Sequence, residues 1–193
     1  MSTLVYIHGF LSSPQSLKAQ VTRQWLLDHR PEIDYHCPFL SPYPLETERQ
    51  LREMMTQLGD QTVGFVGSSL GGFWSTWLVE HYDAKAVLIN PSVRPFELVD
   101  RVRGMPQKSY YTDDTYLMLP EHGEQFRQAY CEQLKDLSRY YLLAQTGDET
   151  LDYRQAEARY WGCRQHIEEG GDHGFQNYEA HLPDIVDFLF GSP

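Results

Sequence analysis

The chain of 193 residues carries a formal net charge of −11, with 41% hydrophobic and 22% charged residues. That length suits one domain with a sizeable core, and the balance is that of an ordinary soluble globular protein. The acidic excess excludes a nucleic-acid backbone as partner, because such binding needs a basic surface, and no run approaches the roughly 20 apolar residues of a membrane span.

Cys37, Cys131 and Cys163 are odd in number and widely spaced, which fits reduced thiols rather than a disulfide framework. Met1-Ser2-Thr3 leads straight into a strand-like stretch without the basic start and apolar core of a signal peptide, so the expected location is the cytoplasm.

In chain order, Thr3-Leu4-Val5-Tyr6-Ile7 is apolar on both faces, as a strand buried in a parallel sheet tends to be, and runs into His8-Gly9-Phe10-Leu11. Leu17, Val21 and Trp25 recur at helical spacing up to His29, with Pro31 closing that helix. A second strand is expected over residues 33–37, followed by a proline-rich loop to Pro44 that continues no ladder. Leu51, Met54, Met55 and Leu58 form the apolar stripe of a helix that Gly59 ends.

The third strand, Thr62-Val63-Gly64-Phe65-Val66, leads into Gly67-Ser68-Ser69-Leu70-Gly71, and Phe73, Trp74, Trp77 and Leu78 then mark a helix with a buried face. A strand, a turn of small residues and a helix form the setting in which G-x-S-x-G acts as a nucleophile elbow. Ser69 is the serine in that frame. The helix that begins at Leu70 aims free backbone N–H groups at an anion formed beside it.

Residues 84–89 read as a fourth buried strand ending at Asn90-Pro91-Ser92. From 93 to about 137 the alternation lapses, with one helix expected over residues 121–137 and an aromatic loop around Tyr110, Tyr111 and Tyr116. So long an excursion reads as a small helical lid inserted over the sheet. A fifth strand (residues 139–144), a helix (153–161), a sixth strand (164–168) and a last helix with the stripe Leu182, Ile185, Val186, Leu189 and Phe190 complete the pattern. The predicted class is α/β: a single domain with a mostly parallel sheet of about six strands and helices on both faces.

A serine hydroxyl needs an imidazole to take its proton and a carboxylate to hold that imidazole in the right tautomer. Asp148 follows the fifth strand and His173, in Gly170-Gly171-Asp172-His173-Gly174, follows the sixth. With Ser69 they stand at carboxyl ends of strands, where open α/β sheets carry their sites, and in the chain order Ser, Asp, His. Asp152 and Glu149 occupy the same loop and stand as alternative carboxylates.

The histidines at 29, 36, 81, 122, 166 and 181 show no metal-ligand spacing such as H-E-x-x-H, and Asp113-Asp114 lacks the alternating acidic loop that calcium needs, so neither metal nor cofactor is expected. Arg94, Arg101, Arg103 and Lys108 form a basic cluster suited either to a phosphorylated leaving group such as coenzyme A or, with Glu97 and Asp100, to a solvated helix face.

In its His8-Gly9-Phe10 and Gly67-Ser68-Ser69-Leu70-Gly71-Gly72 segments and its short length, the chain resembles the α/β-hydrolases, and within them the small bacterial YqiA/YcfP-type esterases. The resemblance spans essentially the whole chain. It implies hydrolysis of a small-molecule carboxylic ester or thioester, with the backbone N–H groups of Phe10 and Leu70 as the oxyanion hole. His8 would shape that loop through hydrogen bonding, and with Tyr110, Tyr111 and Tyr116 is a candidate for contact with substrate. An acyltransferase or thioesterase on the same chemistry, and a small-ligand receptor with little turnover, are the alternative readings. The acid segment departs from the family's G-x-x-D-x-x-V-P run: Gln145 replaces the glycine and Asp152 the proline.

Overall fold

The computed structural model describes residues 1–191. The elements run β1 (Ser2–Ile7), α1 (Leu17–His29), β2 (Ile33–His36), α2 (Pro44–Leu58), β3 (Thr62–Ser68), α3 (Leu70–His81) and β4 (Lys85–Ile89). After these come α4 (Pro95–Val102), β5 (Pro106–Lys108), β6 (Thr115–Leu117) and α5 (Pro120–Ala129), then β7 (Tyr140–Gln145), α6 (Tyr153–Arg159), β8 (Arg164–Glu168) and α7 (Leu182–Phe190). Short 3₁₀ turns lie at Leu137–Arg139 and Tyr178–His181.

Six strands form one parallel sheet in the order β2-β1-β3-β4-β7-β8. Because β1 and β3 are neighbours, the chain builds outward through β2 and then returns to the other side of β1. The crevice beyond the carboxyl ends of β1 and β3 is therefore a topological switch point, where such sheets place their ligands.

Both faces of the central strands are apolar, so both need cover. Val5, Ile7, Phe65, Leu88, Leu142 and Ala144 pack with residues of α2, α3, α6 and the segment after β4. Tyr6, Val66, Val87, Ile89 and Leu143 pack with α1, α7 and the turn before it. Among the described residues no helix is long and apolar enough to cross a membrane.

Three expectations are corrected. The buried face of α1 is Ala19, Thr22 and Leu26, whereas Leu17 is 77% exposed and Val21 and Trp25 are only partly covered. Thr22 is held there by a 2.7 Å hydroxyl contact with Tyr178, a pairing across the fold that no helical periodicity shows.

The segment between β4 and β7 contains two helices and the antiparallel hairpin β5–β6 rather than one helix and a loop. Finally, the helix expected over residues 121–137 stops at Ala129. Beyond it, the Arg159 guanidinium takes the carbonyls of Cys131 and Glu132, and the buried Glu80 carboxylate accepts the Lys135 N–H. Those long-range partners satisfy the backbone outside a helix.

The segment is anchored by Phe126 of α5, 1% exposed, whose ring meets Phe73 and Trp74 of α3 at centroid distances of 5.6 and 5.9 Å. Phe126→Ala is expected to lower the unfolding free energy by about 3–5 kcal/mol in urea titration, as buried aromatic truncations do. A loss below about 1 kcal/mol would show that the segment is not part of the core.

Candidate active site

The turn after β3 is built on close approach. A Cβ on Gly67 would overlap the Gly71 carbonyl, one on Gly71 would overlap the Ile7 carbonyl, and one on Gly72 would lie 2.5 Å from Pro91 Cβ. Ser69 takes φ 56° and ψ −119°, a conformation that costs an L-residue about 1–3 kcal/mol. Main-chain bonds hold it there: its N–H donates to Ile89 O at 3.0 Å, and its carbonyl accepts from Gly72 and Ser92 at 2.9 Å each. Leu70 opens α3, so its N–H has no intrahelical acceptor.

The structure brings Ser69, His173 and Asp148 into one hydrogen-bonded line. His173 Nε2 lies 3.1 Å from Ser69 Oγ, and Nδ1 lies 2.8 and 3.0 Å from the Asp148 carboxylate oxygens. An ionised carboxylate only accepts, so Nδ1 carries the proton and Nε2 is left to accept from the serine hydroxyl.

The Asp148 side chain is 2% exposed and one of its oxygens also accepts the Thr150 and Leu151 N–H groups at 2.8 and 2.9 Å. Burial pushes its carboxyl upward, but the hydrogen bonds from His173 and Leu151, the His173 charge and the Thr150 N–H together hold it below its ordinary value. The two other acids of the loop are engaged differently. Asp152 caps α6 through the Arg154 N–H, and Glu149 accepts the backbone N–H of His173 at 3.0 Å.

Two residues outside the expected set position the histidine loop. Asn90 is 3% exposed. Its amide donates to the carbonyls of Asp172 and His173 at 2.9 and 3.2 Å, while its oxygen accepts the Gln145 N–H at 2.9 Å. The Gln145 amide oxygen accepts the N–H groups of Asp172 and Gln176, and its nitrogen donates to Glu168 and to Gln176 O. All four amide positions of Gln145 are satisfied. The one available signal was the glutamine standing where the family pattern has glycine.

A cavity of about 610 Å³ adjoins the line, bordered by Gly9 and Ser68 and by Asp172 and Gly174 on either side of His173. Tyr111 lines it. Tyr110 points outward at 76% exposure, although its N–H ties the inserted segment to Leu11 O at 3.1 Å, and Tyr116 packs edge-on against Tyr43.

Lys18 also reaches the cavity and donates to Gly174 O at 2.6 Å; burial pulls its ammonium pKa down against the opposing charge of Asp172. Phe10 and Leu70 border a smaller gap together with His8, and no hydrogen bond from the Phe10 N–H is found among the described residues. Of the basic cluster, Arg94 pairs with Glu97 at 3.1 Å and Lys108 with Asp113 at 3.5 Å. Arg94 and Arg101 share their recess with Glu97 and Asp152, so its charge is balanced.

Away from this line, folding assembles a group that spacing alone does not reveal: His166 and Glu168 of β8 with His181, whose ligand atoms lie within 4.8 Å of one another. Two of the three alternate along one strand and the third arrives from the turn before α7.

The family model described as Uncharacterised protein family (UPF0227) matches residues 3–190. The UPF0227 protein YcfP of Salmonella arizonae is 25% identical over 190 residues, covering 96% of this chain and 97% of that protein; the Salmonella gallinarum protein is 26% identical over the same coverage. Among solved structures, Est1E from Butyrivibrio proteoclasticus superposes with a TM-score of 0.68 at 13% identity, over 97% of this chain and 86% of that one. Mouse alpha/beta hydrolase domain-containing protein 10 superposes with a TM-score of 0.70 at 14% identity, over 96% and 89%. The shared fold is that of the α/β-hydrolases.

Protonation bears on the loop after β1 through His8, which is 5% exposed. Its Nδ1–H donates to Gly9 O at 2.9 Å and its Nε2 accepts the Leu40 N–H at 3.0 Å, so both nitrogens serve the main chain. Burial lowers its pKa against the opposing Gly9 bond, and a proton on Nε2 would face the Leu40 N–H. Below about pH 6.5 the unfolded chain takes up a proton at this residue while the folded one does not, until the pH reaches the lower folded value. Folding stability is therefore expected to fall as pH drops from 7.5 to 5.5. In denaturant titrations His8→Gln, which removes the ionisable group, should show a shallower decline; an unchanged slope would remove His8 as its source.

Proposed function

Because the chain belongs to the UPF0227 family and has the α/β-hydrolase fold, we propose that it is a serine esterase that hydrolyses small carboxylic esters through an acyl-enzyme intermediate. The observation that carries this reading is the line Ser69 Oγ, His173 Nε2, His173 Nδ1, Asp148, at 3.1 and 2.8 Å. Its serine sits on a strained strand-to-helix turn.

Ser69 Oγ attacks the ester carbonyl as its proton passes to His173 Nε2, and Asp148 holds the imidazole in the Nδ1–H tautomer and stabilises the imidazolium. The negative charge that develops on the carbonyl oxygen meets the N–H groups of Leu70 and Phe10, where loss of one donor costs about 3 kcal/mol of transition-state stabilisation. His173 then returns the proton to the departing alkoxide. A water activated by the same nitrogen cleaves the acyl-serine ester, releasing the acid and regenerating Ser69. No step calls for a metal or cofactor.

The 610 Å³ cavity receives one side of the substrate, and the segment of residues 93–137 acts as a lid that brings Tyr111 to its rim. Ester bonds to simple alcohols suit this site better than thioesters of a phosphorylated carrier, since Arg94 and Arg101 of the basic cluster share their recess with Glu97 and Asp152.

Ser69→Ala is expected to abolish fluorophosphonate labelling and ester turnover while leaving the far-UV circular dichroism unchanged; turnover retained in that variant would end the proposal. Asp148→Asn, which permits the wrong tautomer, should keep the fold and lower kcat by about 10⁴-fold in chromogenic ester assays.

A further inference from the structure

We propose that His166, Glu168 and His181 form a binding site for a divalent transition-metal ion of the zinc type, separate from the serine site. β8 is one of the two edge strands of the main sheet, and residues two apart on a strand share a face, so His166 and Glu168 project together. His181 ends the 3₁₀ turn Tyr178–His181 and closes the group from the other side.

Glu168 Oε1 lies 3.1 Å from Nε2 of each histidine. Around a tetrahedral zinc with bonds of about 2.0–2.1 Å, neighbouring ligand atoms are separated by roughly 3.4 Å. Two edges of the tetrahedron's protein face are thus already close to length. The third, between the two imidazoles, is no longer than 4.8 Å and closes by a small shift of the His166 side chain, which is 48% exposed.

The donor set selects the ion. Two imidazoles and one carboxylate favour zinc, nickel or copper over magnesium and calcium, which take oxygen ligands. Three protein ligands leave the fourth position to water on the solvent side.

The carboxylate is also oriented from behind, as metal-binding carboxylates usually are. Glu168 Oε2 accepts the Gln145 amide at 2.7 Å, which directs Oε1 toward the histidines. That same glutamine holds the N–H groups of Asp172 and Gln176 on either side of His173. An ion here would pin β8 to the Tyr178–His181 turn and stiffen, through one buried side chain, the loop that carries His173. The competing account is an ion pair in which protons occupy both imidazoles and no metal is bound.

The two accounts are separated by calorimetric titration of the full chain with zinc chloride after chelator treatment, in a buffer that does not coordinate metal. One equivalent is expected to bind with a dissociation constant of micromolar or tighter. At a hundredfold excess over that constant the thermal midpoint should rise by about 5–10 °C.

His166→Ala and His181→Gln should each weaken binding at least tenfold, whereas His173→Ala, which removes the imidazole of the serine site, should bind zinc like the parent. His166 is exposed enough for its variant to fold, and circular dichroism of both variants checks this. Absence of saturable binding at 100 μM zinc, equal affinity in the His166→Ala/His181→Gln double variant, or loss of binding in His173→Ala would each overturn the proposal. Because none of these readouts depends on ester turnover, the site stands or falls independently of the esterase reading.

Discussion

The structure depends on how closely the main chain of the turn after β3 approaches the end of β1. A side chain at Gly71 would strike the Ile7 carbonyl, and one at Gly9 would come within 3.3 Å of the Ser68 carbonyl and Ser69 Cβ. With glycine at these points two loops from neighbouring parallel strands touch. Register continues that contact: Ile7 pairs with Gly67, so β1 and β3 end level with each other. Phe10 and Leu70 consequently come from independent elements and still border one small gap. In the proposed esterase reaction, main-chain donors anchored by two inner strands would need little reorganisation as charge develops beside them, the condition for electrostatic stabilisation of a transition state.

Backbone strain is concentrated around the same point. Among the described residues the non-glycine positions with positive φ are Leu11, Ser69, Asn90, Phe175 and Asn177. Leu11 lies in the loop after β1, Asn90 follows β4, and Phe175 and Asn177 lie just beyond His173. Asparagine tolerates this region comparatively well; leucine, serine and phenylalanine do not. Three of the five are held by hydrogen bonds to neighbours: Ser69 by three main-chain bonds, Asn90 by a side chain that bridges β7 and the histidine loop, and Phe175 by a main-chain bond to Asp172. Strain retained under that much restraint is typical of a site whose geometry is set before substrate arrives.

The regular part of the fold was legible in the chain because inner parallel strands are apolar on both faces and their helices recur between them; all six strands of the main sheet lie where the pattern indicated. Ser69, Asp148 and His173 were legible from their place after strands β3, β7 and β8. What escaped depends on partners distant in sequence. The end of α5 at Ala129 is decided by Arg159 and Glu80, 30 and 49 residues away by number from that position. The buried face of α1 turns on Tyr178, 156 residues further along the chain, whose hydroxyl meets that of Thr22. The hairpin β5–β6 is only three residues on each side, too short for alternation to register. The grouping of His166 with His181 spans a turn whose direction no local preference encodes.

Gln145 ties these observations together. It occupies the last position of β7, 2% exposed, where a glycine would leave the space beneath Gly171 empty, and a Cβ on Gly171 would collide with its amide. Its oxygen collects two N–H groups from the histidine loop, and its nitrogen joins that loop to Glu168 on β8. A glycine at this place would require water or another side chain to satisfy those groups, because buried main-chain donors are costly to leave unpaired. The departure from the family's acid segment is therefore compensated in space: the glutamine supplies the hydrogen bonds that fit this loop, and Asp148, three residues on, remains in line with the imidazole.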